Sequence, residues 1–252
     1  MSVSKKNVLI VAGSDSVGGA GVQADIKSCE AFGCFSASVI TAVTAQNTNG
    51  VSSVLAMPAH MVKAQFEMVL AELDIDAVKV GMLFNEEIIA VVSAFLKEFS
   101  AKNVPVVIDP VCVAKSGAKL LEDGAIEALK ELLNLATIAT PNVDEARILG
   151  INFTNLPCDM VLKRTKVDEI CEDTLYLKGG EVVKFSEELF KPKVMHGAGC
   201  SFSSSLAAIL AQQNDLISAI KMAKKFVANG IKNAHKSKFG ARLIDHKAGL
   251  NG

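Results

Sequence analysis

The residues best suited to chemistry sit in a glycine-rich segment, His196-Gly197-Ala198-Gly199-Cys200, directly ahead of the strong helix pattern Ser201–Ala208. Glycines there let backbone N–H groups converge at the positive end of a helix, which suits a phosphate or a migrating phosphoryl group. A thiol in the first turn is expected to be acidified by the helix end, so Cys200 is a candidate proton acceptor or nucleophile. A buried helix-start cysteine after a glycine turn fits the same spacing equally well. Asp109, before Pro110, is placed to carry a carboxylate beyond a strand end. Asn142 and Glu145 stand three residues apart at a helix start and can face one ligand shell, where oxygen donors suit a Mg²⁺ ion bridged to phosphates. The same pair also has the spacing of an N-cap residue and its capping-box partner. Lys178, before Gly179 and Gly180, reads either as a solvated lysine or as a cation over a nucleotide phosphate, and Lys115 is open in the same way. Met82, after Gly81, suits core packing or the lining of a flat heteroaromatic ring.

These residues need a frame. Short β-branched runs at Asn7–Ala12, Phe35–Thr44, Val51–Ala56, Ala77–Val80, Val104–Ile108, Thr137–Ala139 and Thr174–Leu177 read as strands. Helical patterns at Ala20–Phe32, Ala59–Leu73, Glu86–Phe99, Gly124–Leu133, Val143–Leu149, Gly199–Gln213 and Leu216–Asn233 alternate with them. Continuous apolar strands between amphipathic helices predict an α/β protein, a three-layer α/β/α sandwich around a mostly parallel sheet. No linker-like stretch or internal repeat divides the chain, so residues 1–252 are expected to form one domain. Ligands of such sheets bind beyond the carboxyl ends of the strands, where most of the candidate residues fall.

Composition narrows the classes. The 252 residues are 50% hydrophobic and 21% charged, ample for a packed core, and Lys+Arg 26 against Asp+Glu 27 gives a net charge of −1. Without a basic run interleaved with aromatics, nucleic acid is not expected as a partner, and the interrupted apolar stretches argue against a membrane. Six cysteines with no C-x-x-C pair and four scattered histidines argue against a zinc site and fit a reducing cytoplasm. Gly19-Ala20-Gly21-Val22-Gln23-Ala24 matches the dinucleotide pattern only loosely, since the second strand ends Thr44-Ala45-Gln46 without the acid that would bind ribose. There is no P-loop signature either.

Read in order, the segments Ala12–Ser16, Gly18–Asp25, Thr41–Thr48, Val78–Leu83, Asp109–Val111, Ala114–Gly117, Thr140–Asn142, Lys178–Gly180 and His196–Cys200 closely resemble the hydroxymethylpyrimidine/phosphomethylpyrimidine kinases, thiamin-biosynthesis members of the ribokinase-like superfamily. The resemblance implies a ribokinase-like fold and two successive transfers of the ATP γ-phosphoryl group, first to the hydroxymethyl group of an aminopyrimidine and then to that monophosphate. It implies that Gly13, Asp25, Thr44, Gln46, Met82 and Val111 surround the pyrimidine, with the Gln46 amide on its aminopyrimidine edge. Asp109 and Glu145 would organise Mg²⁺, Asn142 and Lys178 would hold the ATP phosphates, and Gly197, Ala198, Gly199 and Cys200 would form the anion hole. Many sugar and vitamin kinases of the superfamily carry Asp where Cys200 stands, which points away from the sugar kinases. A cytoplasmic homodimer is also implied.

The chain departs from the family pattern at Ala198, usually Thr, and at Val17 and Cys112, usually Gly and Met. The stretch between Lys178 and His196 is shorter than usual, where the family has a hairpin near the nucleotide, so a reduced adenine pocket is expected. Two other readings compete: a pyridoxal or pyridoxine kinase of the same fold, and a non-catalytic pyrimidine-binding protein. Gln46 distinguishes the first, because pyridoxal offers no exocyclic amine for an amide to match.

Overall fold

The computed structural model describes residues 5–114, 117–167, 170–188 and 195–250; Lys115 and the segment Lys191–Val194 lie outside them. The chain begins with β1 (Asn7–Asp15), α1 (Gly21–Ala31), the long β2 (Phe35–Asn47) and β3 (Gly50–Ala56), followed by α2 (Ala59–Leu70), β4 (Ala77–Val80) and α3 (Glu86–Ala101). Next come β5 (Val106–Ile108), α4 (Ile126–Leu132), β6 (Ile138–Ala139), α5 (Val143–Ile148) and three strands in succession, β7 (Asp159–Val167), β8 (Ile170–Tyr176) and β9 (Val182–Glu188). The chain closes with β10 (Met195–His196), α6 (Ala198–Leu210), α7 (Leu216–Lys232), β11 (His235–Lys236) and β12 (Arg242–Leu243).

Nine strands form one sheet in the order β3-β2-β1-β4-β5-β6-β7-β8-β9. The pairings from β2 through β7 are all parallel. The flanking strands β3, β8 and β9 pair antiparallel. Side-chain alternation along β1 shows why the sheet is covered on both faces. Leu9 and Val11 join Phe66 of α2, Leu96 of α3 and Leu129 of α4 in one apolar core. Val8 and Ile10 join Cys29 of α1, Leu206 of α6 and Ala223 of α7 in the other. Each buried Val, Leu, Ile or Phe side chain among these contributes roughly 1.5–3 kcal/mol. The expected three-layer sandwich is therefore the observed one.

Caps fix where helices begin beyond the strand ends. The Asn85 side chain accepts from the Ile88 N–H at the start of α3, with Glu86 and Glu87 complementing the helix dipole. Asp215 caps α7 in the same way, accepting from Ile217 and Ser218.

One part of the sequence reading is corrected. Thr174–Leu177 does not continue the parallel series after β6; β7 takes that place and β8 runs back beside it. Lys163, Arg164 and Lys166 interrupt the apolar pattern of β7, so no buried parallel strand is legible there. Consequently Lys178-Gly179-Gly180 is the turn of the β8–β9 hairpin, with Gly180 at φ 93, a left-handed value suited to glycine.

Candidate active site

The carboxyl ends of the parallel strands open into one cleft of about 390 Å³. Of the residues singled out from the sequence, Gly13, Thr44, Gln46, Met82, Val111, Asp109, Asn142, Glu145, Gly197, Ala198, Gly199 and Cys200 all line it. Asp25 and Lys178 are not among the lining residues.

Helix α6 supplies the donor end. Its N-cap, Gly197, lies at φ 86 and no side chain caps the helix, so the first-turn N–H groups remain available to a ligand. A Cβ at Gly197 would fall 1.6 Å from the Gly19 carbonyl oxygen, so only glycine allows this approach. A small sheet holds the loop in place: β10 pairs parallel with β12, which pairs antiparallel with β11. His196 Nε2 lies 2.8 Å from Asp15 Oδ2, tying the loop to the end of β1. Burial works against the charge of Asp15, but His196 and the Ala20 N–H hold its carboxyl below the usual value.

Two buried ion pairs stand beneath the cleft. Lys79 Nζ donates to Asp25 Oδ2 at 2.7 Å, both side chains fully buried. Asp25 is thus the buried counter-ion of Lys79, which itself lines the cleft, while Asp25 stands behind the lining. Burial raises Asp25 to about 6 despite the lysine. Burial disfavours the charged form of Lys79, yet Asp25, Cys200 and Asp109 together keep its pKa above the ordinary value. The second pair joins Lys163 Nζ to Asp109 Oδ1 at 2.6 Å. Thr140 Oγ1 and Ser203 Oγ donate to the same carboxylate at 3.3 Å each. Burial opposes ionisation of Asp109, but Lys163, with Lys79 behind it, draws its pKa down.

Lys178 has a different place. Its Nζ donates to the Pro157 carbonyl at 3.1 Å and its backbone N–H to Asp159 Oδ1 at 2.8 Å, at the start of β7. The strand-end lysine at the cleft is Lys163, because β7 and not β8 is the next parallel strand. The glycine pair beside Lys178 marks a hairpin turn rather than a phosphate cradle.

Asn142 and Glu145 form the capping box their spacing allows. The Asn142 side chain accepts from the Asp144 and Glu145 N–H groups, and Glu145 Oε2 accepts from the Asn142 N–H at 2.8 Å. Both still line the cleft. Burial, followed by the neighbouring Asp109 charge, raises Glu145 to about 7 against the pull of Lys163. Two carboxylates this close are a charge arrangement that a divalent cation relieves. Among the described residues no group of three His, Cys, Asp or Glu side chains is placed to hold a metal. Asp109 and Glu145 would be the residues to hold a Mg²⁺ ion, whose shell takes one or two carboxylates beside water and phosphate.

Cys200 differs from expectation. Burial pushes its thiol up to about 11, with Lys79 opposing and Asp25 and Asp109 adding to the rise. That direction favours a neutral thiol near neutral pH over a helix-acidified thiolate.

Asp15, Lys79, Lys163, Arg164 and His196 are the functional candidates to which sequence reasoning assigned no role. Lys79 had a signal: a lysine inside Ala77-Val78-Lys79-Val80 has to meet a buried partner. Lys163 and Arg164 had none without β7. No helix among the described residues is long and apolar enough to cross a membrane.

Residues 15–245 match the model of the phosphomethylpyrimidine kinase family. The thiamine biosynthesis bifunctional protein ThiED of Geobacter sulfurreducens is 38% identical over 95% of this chain, which spans about half (52%) of that relative's length. The hydroxymethylpyrimidine/phosphomethylpyrimidine kinase of Haemophilus influenzae is 40% identical, covering 90% of this chain and 91% of its own. Among solved structures, an ADP complex of Bacillus subtilis pyridoxal kinase superposes with a TM-score of 0.86 at 31% identity, covering 97% of this chain and 98% of its own. The ribokinase-like architecture implied by the sequence is thereby met, and the chain belongs to the phosphomethylpyrimidine kinase family.

Proposed function

We propose that the protein transfers the γ-phosphoryl group of ATP to the hydroxymethyl group of 4-amino-5-hydroxymethyl-2-methylpyrimidine and then phosphorylates that monophosphate to the diphosphate, in thiamin biosynthesis. The observation that carries this reading is the uncapped start of α6 at the centre of a cleft whose two ends differ in chemistry. Gln46 and Thr44 stand on β2, whereas Asn142 follows β6 and Lys163 stands on β7. Five strand steps separate β2 from β7, roughly 24 Å at the usual spacing, which is room for two ligands end to end.

In this reading Met82 and Val111 face the flat ring and the Gln46 amide meets its amine and ring nitrogen. The hydroxymethyl oxygen forms a bond to the γ-phosphorus as the bond from phosphorus to the leaving ADP oxygen breaks. The N–H groups of Ala198, Gly199 and Cys200 stabilise charge on the phosphoryl oxygens, the contribution expected to dominate such transfers. Mg²⁺, when bound near Asp109 and Glu145, neutralises phosphate charge. Cys200 starts as a thiol, so its part is to hold the hydroxymethyl oxygen and to receive its proton only in the ionised form. The second acceptor, a phosphate ionised near neutral pH, needs no such help.

Exposed Val43 on β2 and Leu55 on β3 are directly paired in the antiparallel β2–β3 ladder. That apolar patch supports the homodimer in the same reading, which light scattering would weigh.

Likeness to pyridoxal kinase structures favours a second reading in which pyridoxal is the acceptor. Mg²⁺-ATP turnover with hydroxymethylpyrimidine, its monophosphate and pyridoxal offered separately, with products resolved by mass, decides between them. Both pyrimidines are expected to react and pyridoxal little. Preferential reaction of pyridoxal would overturn the proposal, and binding without any turnover would favour a non-catalytic pyrimidine-binding protein.

A further inference from the structure

Four cationic or potentially cationic side chains line the cleft: Lys79, Lys163, His196 and Arg164. Three of them already hold a carboxylate, Asp25, Asp109 and Asp15 respectively. Among the described residues, Arg164 has no such ion pair, although its charge is felt at Glu145.

Its backbone is as distinctive as its charge. Arg164 lies at φ 64, in the left-handed region that costs a non-glycine residue about 1–2 kcal/mol. The β7–β8 register is broken between Leu162 and Thr165, so the chain bulges at this point. Two buried anchors hold the bulge. The Arg164 N–H donates to Asp173 Oδ1 at 2.7 Å, and Asp173 Oδ2 takes Lys224 Nζ of α7 at 2.6 Å. One residue earlier, the Lys163 N–H donates to the Pro141 carbonyl at 2.9 Å, beside Asn142. A strained residue held from two sides, at the mouth of a cleft, directs attention to what its side chain does.

We infer that Arg164 binds the phosphate chain of the nucleotide co-substrate and sets how strongly the cleft prefers nucleoside di- and triphosphates over the bare nucleoside. The inference rests on the ATP-dependent reading above. The planar guanidinium offers paired donors matched to phosphate oxygens, and no ion pair with a described carboxylate has to be given up first. Its place on β7, at the far end of the parallel series from Gln46, assigns it to the nucleotide and not to the phosphate of a pyrimidine monophosphate. The bulge turns a residue of β7 toward the ligand, and the Asp173–Lys224 pair keeps it there.

The test is calorimetric titration of ADP, AMP, adenosine and the pyrimidine monophosphate into the wild-type protein and into Arg164→Gly, Arg164→Gln and Arg164→Lys. One charge-assisted contact corresponds to about a 10- to 100-fold change in affinity. Arg164→Gly and Arg164→Gln are expected to lose that much for ADP while adenosine and the pyrimidine monophosphate bind as before, with Arg164→Lys between. Arg164→Gly should keep or raise the thermal midpoint, because glycine suits the left-handed backbone, so a loss of ADP binding cannot be assigned to unfolding. An unchanged ADP-to-adenosine ratio, or an equal loss for adenosine, overturns the inference and leaves the kinase reading intact. A wild-type protein that binds the pyrimidine but no nucleotide overturns both.

Discussion

Lys163 and Asp109 meet at 2.6 Å across the ends of β7 and β5, with β6 between them, and both side chains are almost wholly buried. Removing one partner from such a pair strands the other charge. Lys163→Met is therefore expected to lower unfolding free energy by about 3–5 kcal/mol and to reduce turnover sharply. The double change Lys163→Met with Asp109→Asn should recover most of the stability and none of the turnover. Denaturant melts alongside ATP turnover check both statements, and equal recovery of stability and activity would show that the pair serves packing alone.

Cys200 carries a prediction about reactivity. With its thiol near pH 11, mass-resolved alkylation at this residue is expected to be slow at neutral pH and to climb steadily as the solution is made alkaline. A reactive plateau near pH 7 would contradict the burial argument. Cys200→Ser should slow phosphorylation of the hydroxymethyl group about 10-fold or more while changing the second transfer little. Equal losses in both steps would count against a role for the sulfur in the first.

Glu145 predicts how stability changes with pH. Its folded-state pKa, about 7, lies above the ordinary value of 4.5, so between these values the native protein holds a proton that the unfolded chain has released. Stability from this group is complete below the ordinary value and declines as pH rises through about 7. Glu145→Gln should flatten that decline, by an amount on the order of 1–3 kcal/mol across the window. Asp25, raised to about 6 by burial, adds a decline of the same sign that Glu145→Gln leaves in place. Chemical denaturation at a series of pH values separates the two, and an unchanged slope in Glu145→Gln would refute the assignment.

Much of the molecule is legible in its residues, for identifiable reasons. The strands from β1 to β6 carry short apolar runs, and the helices between them carry clear 3.6-residue patterns, so the sandwich and the strand-end positions follow. Gly197 to Cys200 stand out as a glycine turn ahead of a helix pattern, although that spacing alone leaves a purely structural turn equally open. That Lys163 lines the cleft and Lys178 does not was hidden for a physical reason. Polar residues conceal β7, while Gly179 and Gly180 advertise the adjacent hairpin turn as though it were a binding loop. The pairing of Asp25 with Lys79 was hidden because it spans 54 residues, a contact that no local pattern reports. The rise in the Cys200 pKa was equally hidden, since it depends on how deeply the helix start is packed and on which carboxylates surround it.

The parallel pairing of β10 with β12 has a temporal meaning as well. Met195 faces Arg242 and His196 faces Leu243, so the loop that opens α6 is braced by chain that follows α7. During synthesis from the amino end, the great sheet and most of its helices emerge before that brace does. The ribosome thus delivers a nearly finished scaffold whose phosphate-handling loop is still untethered, and the brace becomes available to it only when Arg242 and Leu243 have left the exit tunnel.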